Sequence, residues 1–188
     1  EPSDFVSPAA VDDAGWPTPI PPSVGATMYI NLKPAGVDLL YGTSTIQVRT
    51  RFTDPTDGDN SSDGLVFAAG EYGPGHPWTP ELIIDYYIEE CLGCGVQPDD
   101  PATADVELTL RSDMDHDGHV VESDEDSDVG EATAVRSRTI SVGDTSLDEQ
   151  VIGLLSFDTS SIPADAFIVS AELTLVRSTV RGNPQSLP

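Results

Sequence analysis

Glu81-Leu-Ile-Ile-Asp-Tyr-Tyr-Ile88 decides the fold. Leu82, Ile84, Tyr86 and Ile88 occupy alternate positions, and Asp85 is among the residues between them. Successive side chains of an extended chain point to opposite faces, so this alternation predicts a half-buried strand of an antiparallel sheet. The pattern recurs outward in both directions. Ile46, Val48 and Phe52 alternate with Gln47, Arg49 and Arg51; Val106, Leu108 and Leu110 alternate with Glu107, Thr109 and Arg111. Val151, Gly153, Leu155 and Phe157 make a fourth row, and Ala171, Leu173 and Leu175 a fifth. Between the rows lie turn-formers, with 16 glycines and 16 prolines concentrated in segments 14–25, 70–80 and 95–103. The one segment suited to a helix is a short turn near Pro34 to Leu40. Many short strands, Gly/Pro-rich connections and little helix predict an all-β protein, an antiparallel β-sandwich.

Segment 89–104 (EECLGCGVQPDDPATA) carries Pro, Gly and acid without apolar periodicity and reads as a linker. It separates a portion 1–88 from a portion 105–188, and neither offers enough strands to bury a core comfortably alone. The two are expected to form one sandwich, within a chain or between neighbouring copies. The linker holds both cysteines, Cys91-Leu-Gly-Cys94. A structural zinc site needs a second ligand pair, which the chain lacks. A redox CxxC belongs before a helix in a βαβ setting, which is also missing. Cys91 and Cys94 are therefore read as a local disulfide pinning a turn, which fits an oxidising, extracellular or cell-surface location.

Acidic residues number 33 against 8 lysines and arginines, giving a net charge of −25. Such a surface repels nucleic-acid phosphates and anionic lipid, which argues against both as partners. No stretch approaches the roughly 18–20 apolar residues of a membrane span. A signal peptide is not apparent, and the chain opens at Glu1, as a processed product or a window of a longer protein would.

The residues also resemble a known family. Asp117-Gly-His-Val-Val-Glu-Ser123 through Asp128-Val-Gly130, Leu154-Leu-Ser-Phe-Asp-Thr-Ser-Ser-Ile-Pro-Ala-Asp165 and Ala171-Glu-Leu-Thr-Leu175 resemble the first half of a DNRLRE-type domain. That is a jelly-roll module related to carbohydrate-binding module family 96, found in tandem on large secreted bacterial and archaeal proteins. Pro2-Ser-Asp-Phe5, Ile46-Gln-Val-Arg-Thr-Arg-Phe-Thr53, the Asp/Asn loop after it and Pro80-Glu-Leu-Ile-Ile-Asp-Tyr-Tyr87 resemble its second half. The halves stand in permuted order. The resemblance implies a jelly-roll sandwich in one of three forms: a circular permutant, one period of a tandem array, or half-domains completing each other between copies. The last would propagate as a fibre, because a heterologous contact that does not close continues indefinitely.

The acid is concentrated in two loops. Eight carboxylates fall between Asp113 and Asp128, and five residues from Asp54 to Asp63 are Asp or Asn. Carboxylates so dense repel one another unless a cation sits among them. Asp113, Asp115 and Asp117 followed by Gly118 match the opening of an EF-hand loop, but the place of its closing Glu falls to Asp124 and no helices flank it. The chemistry is kept without the helix–loop–helix: alternate oxygen ligands wrap a hard cation while glycine permits the bend. In the resembled family Asp117, Glu122 and the cluster around Glu125, Asp126 and Asp128 occupy matching places. Asp117, Glu122 and Asp126 are expected as ligands, with Asp115 in support. Asp57, Asp59, Asn60 and Asp63 are expected as a second set, since Asp59, Asn60 and Asp63 align with the family's Asp/Asn-rich turn. Calcium suits both loops because it accepts roughly six to eight oxygens in flexible geometry. The plainer reading of either loop is an acidic turn rich in side-chain-to-backbone hydrogen bonds. Asn60-Ser-Ser62 is also a glycosylation sequon, which ligation by Asn60 would oppose.

Other residues carry less. His116 and His119 are read as exposed loop histidines and His76 as part of a turn. Trp16, Trp78, Tyr72 and Tyr41 suggest a sugar-stacking platform, but both tryptophans sit beside prolines, where packing over a sheet edge is equally natural. No Gly-x-Ser-x-Gly elbow, HExxH helix or phosphate-binding glycine loop is present. With this many acids some pair will fall at glycosidase spacing by accident, so no catalysis is expected. The sequence thus predicts a non-enzymatic, calcium-stabilised structural module of an extracellular filament or surface fibre. It would join copies of itself head to tail by strand complementation. The alternative is a carbohydrate-binding module of a secreted polysaccharide-active protein.

Overall fold

In the computed structural model, residues 8–54, 56–70, 76–88 and 106–185 are described. The strands are β1 (Gly15–Pro17), β2 (Thr27–Leu32), β3 (Thr45–Thr50), β4 (Gly64–Ala68), β5 (Glu81–Ile88) and β6 (Val106–Arg111). They continue with β7 (Gly118–Glu122), β8 (Gly130–Val135), β9 (Thr139–Asp144), β10 (Gln150–Asp158) and β11 (Ala166–Arg181). One short helix, α1 (Pro34–Asp38), occupies the expected place, with proline in its first turn where the missing N–H costs nothing.

The 16-residue β11 organises the molecule. Its first part pairs antiparallel with β2 on one side and β5 on the other; from Arg177 to Arg181 it pairs with β4, with a bulge between Arg177 and Thr179. One layer therefore runs β1-β2-β11-β5-β6. The other runs from the end of β11 through β4, β9, β10, β7 and β8, with β3 alongside the later part of β10. The layers face each other across a common core. Leu82, Ile84, Leu173 and Leu175 come from the first, and Leu65, Phe67, Ile140, Leu155 and Phe157 from the second. This is the expected all-β antiparallel sandwich.

The portions before residue 89 and after residue 104 interleave. β3 pairs β10, β4 lies between β9 and β11, and β5 lies between β6 and β11. Within this one chain both portions contribute to both layers. Cys91 and Cys94, Tyr72 and the Pro2–Phe5 stretch lie outside the described residues.

All five alternating rows fall on strands, β3, β5, β6, β10 and β11, except that Phe52 of the first row lies two residues beyond the end of β3. β10 differs from its expected half-burial, since Gln150 through Phe157 are all buried. Ile152 and Leu154, on the face opposite Leu155 and Phe157, form a separate apolar cluster with Val120 of β7. Apolar residues of both parities in Val151-Ile-Gly-Leu-Leu155 are the mark of a strand covered on both sides.

Candidate metal centre

The 56–63 loop and the turn between β9 and β10 meet at one end of the sandwich. Antiparallel pairing sets Gly64 against Gly143, so the residues just before β4 and at the end of β9 run side by side. The approach is close: a Cβ on Gly143, whose φ is 143°, would lie 2.0 Å from the Asp63 carbonyl oxygen. The backbones lock reciprocally. Asp144 N–H donates to the Asp63 carbonyl at 2.8 Å, and Asp63 N–H donates to Asp144 Oδ1 at 2.7 Å. Ser62 Oγ donates to the Asp144 carbonyl, and Asn60 N–H donates to Asp148 Oδ1 at 3.1 Å. Asn60 and Asp148 both take the left-handed conformation, at φ 57° each, which Asn and Asp tolerate best among non-glycine residues.

This arrangement gathers carboxylates. Oxygens of Asp57, Asp59 and Asp63 lie within 4.8 Å of one another, and so do those of Asp57, Asp144 and Asp148. Asp63, Asp144 and Asp148 are buried, at 3%, 2% and 3% exposure, whereas Asp57 and Asp59 face solvent. Among the described residues no Lys, Arg or His forms an ion pair with any of them. Backbone N–H groups use one oxygen each of several: Asn183 N–H donates to Asp63 Oδ1, Asp59 N–H to Asp57 Oδ1 and Ser61 N–H to Asp59 Oδ1. Asp144 Oδ2 is buried with no hydrogen-bond partner. Burial pushes the Asp144 carboxyl above the usual aspartate range; the Asp63 N–H opposes this, and the charges of Asp63, Asp57 and Asp148 add to it.

Buried carboxylates facing one another without a counter-charge are costly, and an orphaned buried oxygen adds to the cost. A hard cation removes both penalties. An all-oxygen donor set on loops, two members open to water, fits such an ion. These acidic clusters can hold a metal ion.

The sequence-predicted ligands divide. Asp57, Asp59 and Asp63 come together as expected. Asn60 stands beside them, with its backbone N–H committed to Asp148. Asp115, Asp117, Glu122 and Asp126 are not gathered into such a group among the described residues. The physical reason is β7: its five residues separate the turn at Asp113–Asp117 from the turn at Ser123–Val129, a span of roughly 15 Å at about 3.3 Å per residue. Each buried acid of this region is instead bonded to backbone. Asp117 accepts N–H bonds from Gly70 at 2.9 Å and Ser156 at 3.1 Å, and Glu122 from Asp128 at 2.7 Å and Gln150 at 3.1 Å. Asp115 pairs with Arg136 at 3.1 Å, and Asp126 is exposed in a left-handed turn. Asp113 accepts from the Asp115 N–H and contacts His116 at 2.7 Å; the first contact, then the second, holds its carboxyl below the usual range.

Sequence reasoning missed Asp144 and Asp148. They stand more than 80 residues beyond the loop they join, and the sole linear signal is a pair of aspartates bracketing Thr145-Ser-Leu147.

His116 is exposed, as expected, but His119 is not in a loop: it lies on β7 opposite Gly153 and Ala134 and is half-buried. Its neighbours in the strand, Gly118 and Val120, extend the sheet rather than the acidic turn. Trp16 is 57% exposed on β1 with the Lys33 ammonium 5.4 Å from its ring centre. Tyr41 accepts the Ile168 N–H, and Trp78 stands edge-on to His76 in the turn before β5.

Compared with protein-family models, curated proteins and solved structures, the chain has no match. Among the described residues no helix is long and apolar enough to cross a membrane.

Proposed function

We propose that this chain is a calcium-stabilised, non-enzymatic structural module of an extracellular filament or surface fibre. In this reading copies join head to tail by pairing strands at open sheet edges. The observation that carries it is the carboxylate cluster with its orphaned buried oxygen, placed where two loops from distant parts of the chain are pinned together. Calcium is the ion of choice because it tolerates irregular oxygen cages, whereas magnesium demands near-octahedral geometry and keeps its waters. An ion there would serve cohesion rather than chemistry, since its ligands are occupied and ionised.

Four open edges support the assembly. Among the described residues β1 pairs with β2 alone, β3 with β10 alone, β6 with β5 alone and β8 with β7 alone, which leaves backbone groups for a strand from another copy. The resemblance to DNRLRE-type jelly-roll modules in permuted order, and the reading of Cys91–Cys94 as a disulfide in an oxidising compartment, belong to the same proposal. Electron microscopy and light scattering of the concentrated protein in calcium and in chelator test it. Calcium-dependent fibres are expected; a monomer at every concentration sinks the assembly.

A second reading has its own observation. Trp16 and Tyr29, 57% and 43% exposed, share the outer face of one layer, because Trp16 pairs with Asn31 two residues beyond Tyr29. Exposed rings on a flat sheet face suit stacking against a sugar. Glycan-array binding lost on Trp16→Ala would favour a carbohydrate-binding module.

A further inference from the structure

We infer that the cluster holds two divalent cations rather than one, with the Asp57 carboxylate shared between them. This rests on the calcium reading above and specifies its stoichiometry. The ligand atoms around one calcium ion, each roughly 2.3–2.6 Å from it, lie at most about 5 Å apart. Asp57, Asp59 and Asp63 meet that spacing, and so do Asp57, Asp144 and Asp148, yet the two sets have only Asp57 in common. They describe two adjoining coordination spheres, one in the 56–63 loop and one reaching into the β9–β10 turn.

The second sphere has an independent mark. Asp144 is 2% exposed, its Oδ1 is taken by the Asp63 N–H, and its Oδ2 is buried without a hydrogen-bond partner, in a carboxylate that has an oxygen within 4.8 Å of oxygens of Asp57 and Asp148. An acceptor so placed is left for a ligand. In the first sphere, hydrogen bonds from Asn183, Asp59 and Ser61 engage one oxygen each of Asp63, Asp57 and Asp59, leaving the other oxygen of each carboxylate. Charge points the same way. One divalent ion among these five carboxylates leaves a local charge of −3, and two leave −1, with no protein cation paired to any of them among the described residues. Asp57 is exposed, so it is free to span both ions.

The test is calcium titration of the chelator-stripped full chain by calorimetry in about 0.15 M salt, where screening suppresses diffuse binding, with native mass spectrometry to count bound ions. Asp57→Asn sets the background for loose binding elsewhere on the acidic surface. Two calcium ions above that background are expected in the wild type. Asp59→Asn and Asp148→Asn should each retain one, with circular dichroism confirming that each variant is folded. One ion in the wild type overturns the two-ion assignment and leaves the calcium reading standing. So does loss of all binding in both single variants, which would mean that one ion draws on both sets. No calcium bound above background in the wild type overturns the calcium reading as well.

Discussion

Asp144 is held in place by one oxygen and left without a hydrogen-bond partner at the other, so charge and stability are opposed there unless a cation binds. Asp144→Asn keeps the shape and the Asp63 N–H bond but removes the buried charge. In chelator the variant should melt at or above the wild-type temperature, whereas the rise on adding calcium should largely vanish; a calcium response equal to wild type would refute its role. Asp117 has the opposite character, since both its oxygens accept backbone N–H groups from separate segments. Asp117→Ala strands two buried donors and should cost about 2–5 kcal/mol in urea unfolding, with or without calcium. Burial pushes the Asp117 carboxyl above the usual aspartate range, with its backbone bonds opposing. The folded chain therefore retains that proton to higher pH than the unfolded chain does. Stability from this group is fully present below the unfolded value and is lost as pH rises through the folded one. A carbon-13 titration of its carboxyl should show a midpoint above that of an exposed aspartate; a midpoint at or below it contradicts the burial argument. At this scale the sequence displayed Asp57, Asp59 and Asp63 as neighbours along a loop. It could not display Asp144 and Asp148, because only the pairing of β4 with β9 brings them there.

Strand pairing explains which elements were legible. β5 and the middle of β11 have one face on the core, so their buried residues alternate: Leu82, Ile84 and Tyr86 in the one, Ala171, Leu173 and Leu175 in the other. β4 is flanked by β9 and β11, and Gly64 through Ala68 are all buried. A strand covered on both faces has no alternation to show, and a five-residue apolar run is ambiguous between strand and buried helix. β9, buried from Ile140 through Asp144, was silent for the same reason. The β7 turns misled in the other direction: proximity in sequence suggested one acidic loop where a strand intervenes. Two substitutions probe these elements. Leu173→Ala, at the centre of β11 and 1% exposed, should cost about 2–5 kcal/mol. Gly143→Ala combines a forbidden φ with a clash against the Asp63 carbonyl. It should destabilise by about 3 kcal/mol or more and weaken calcium binding, since it pries apart the strands that carry Asp63 and Asp144.

For the whole molecule the net charge of −25 makes the folded state work against its own repulsion. On the proposed calcium reading, removing calcium from a solution about 100-fold above its Kd should withdraw about 2.7 kcal/mol for each ion, or roughly 5–10 °C of melting temperature per ion for a domain of this size. Sodium chloride at about 1 M, where the Debye length is about 3 Å, should recover part of that loss by screening. It should not restore the ion-specific remainder. An unchanged melting temperature after thorough chelation would remove the cation from the account of stability.

β11 gives the molecule a mechanical axis. One continuous strand is bonded to β2 and β5 in the first layer and then to β4 in the second, so tension applied along it loads both layers at once. Its neighbours lie antiparallel to the pull, and the ladders must slide together rather than unzip rung by rung. Just past its end, Asn183 is bonded to Asp63 within the carboxylate cluster. Any ion bound there would brace the point where the strand is gripped, and rupture force in single-molecule pulling should fall when calcium is withdrawn.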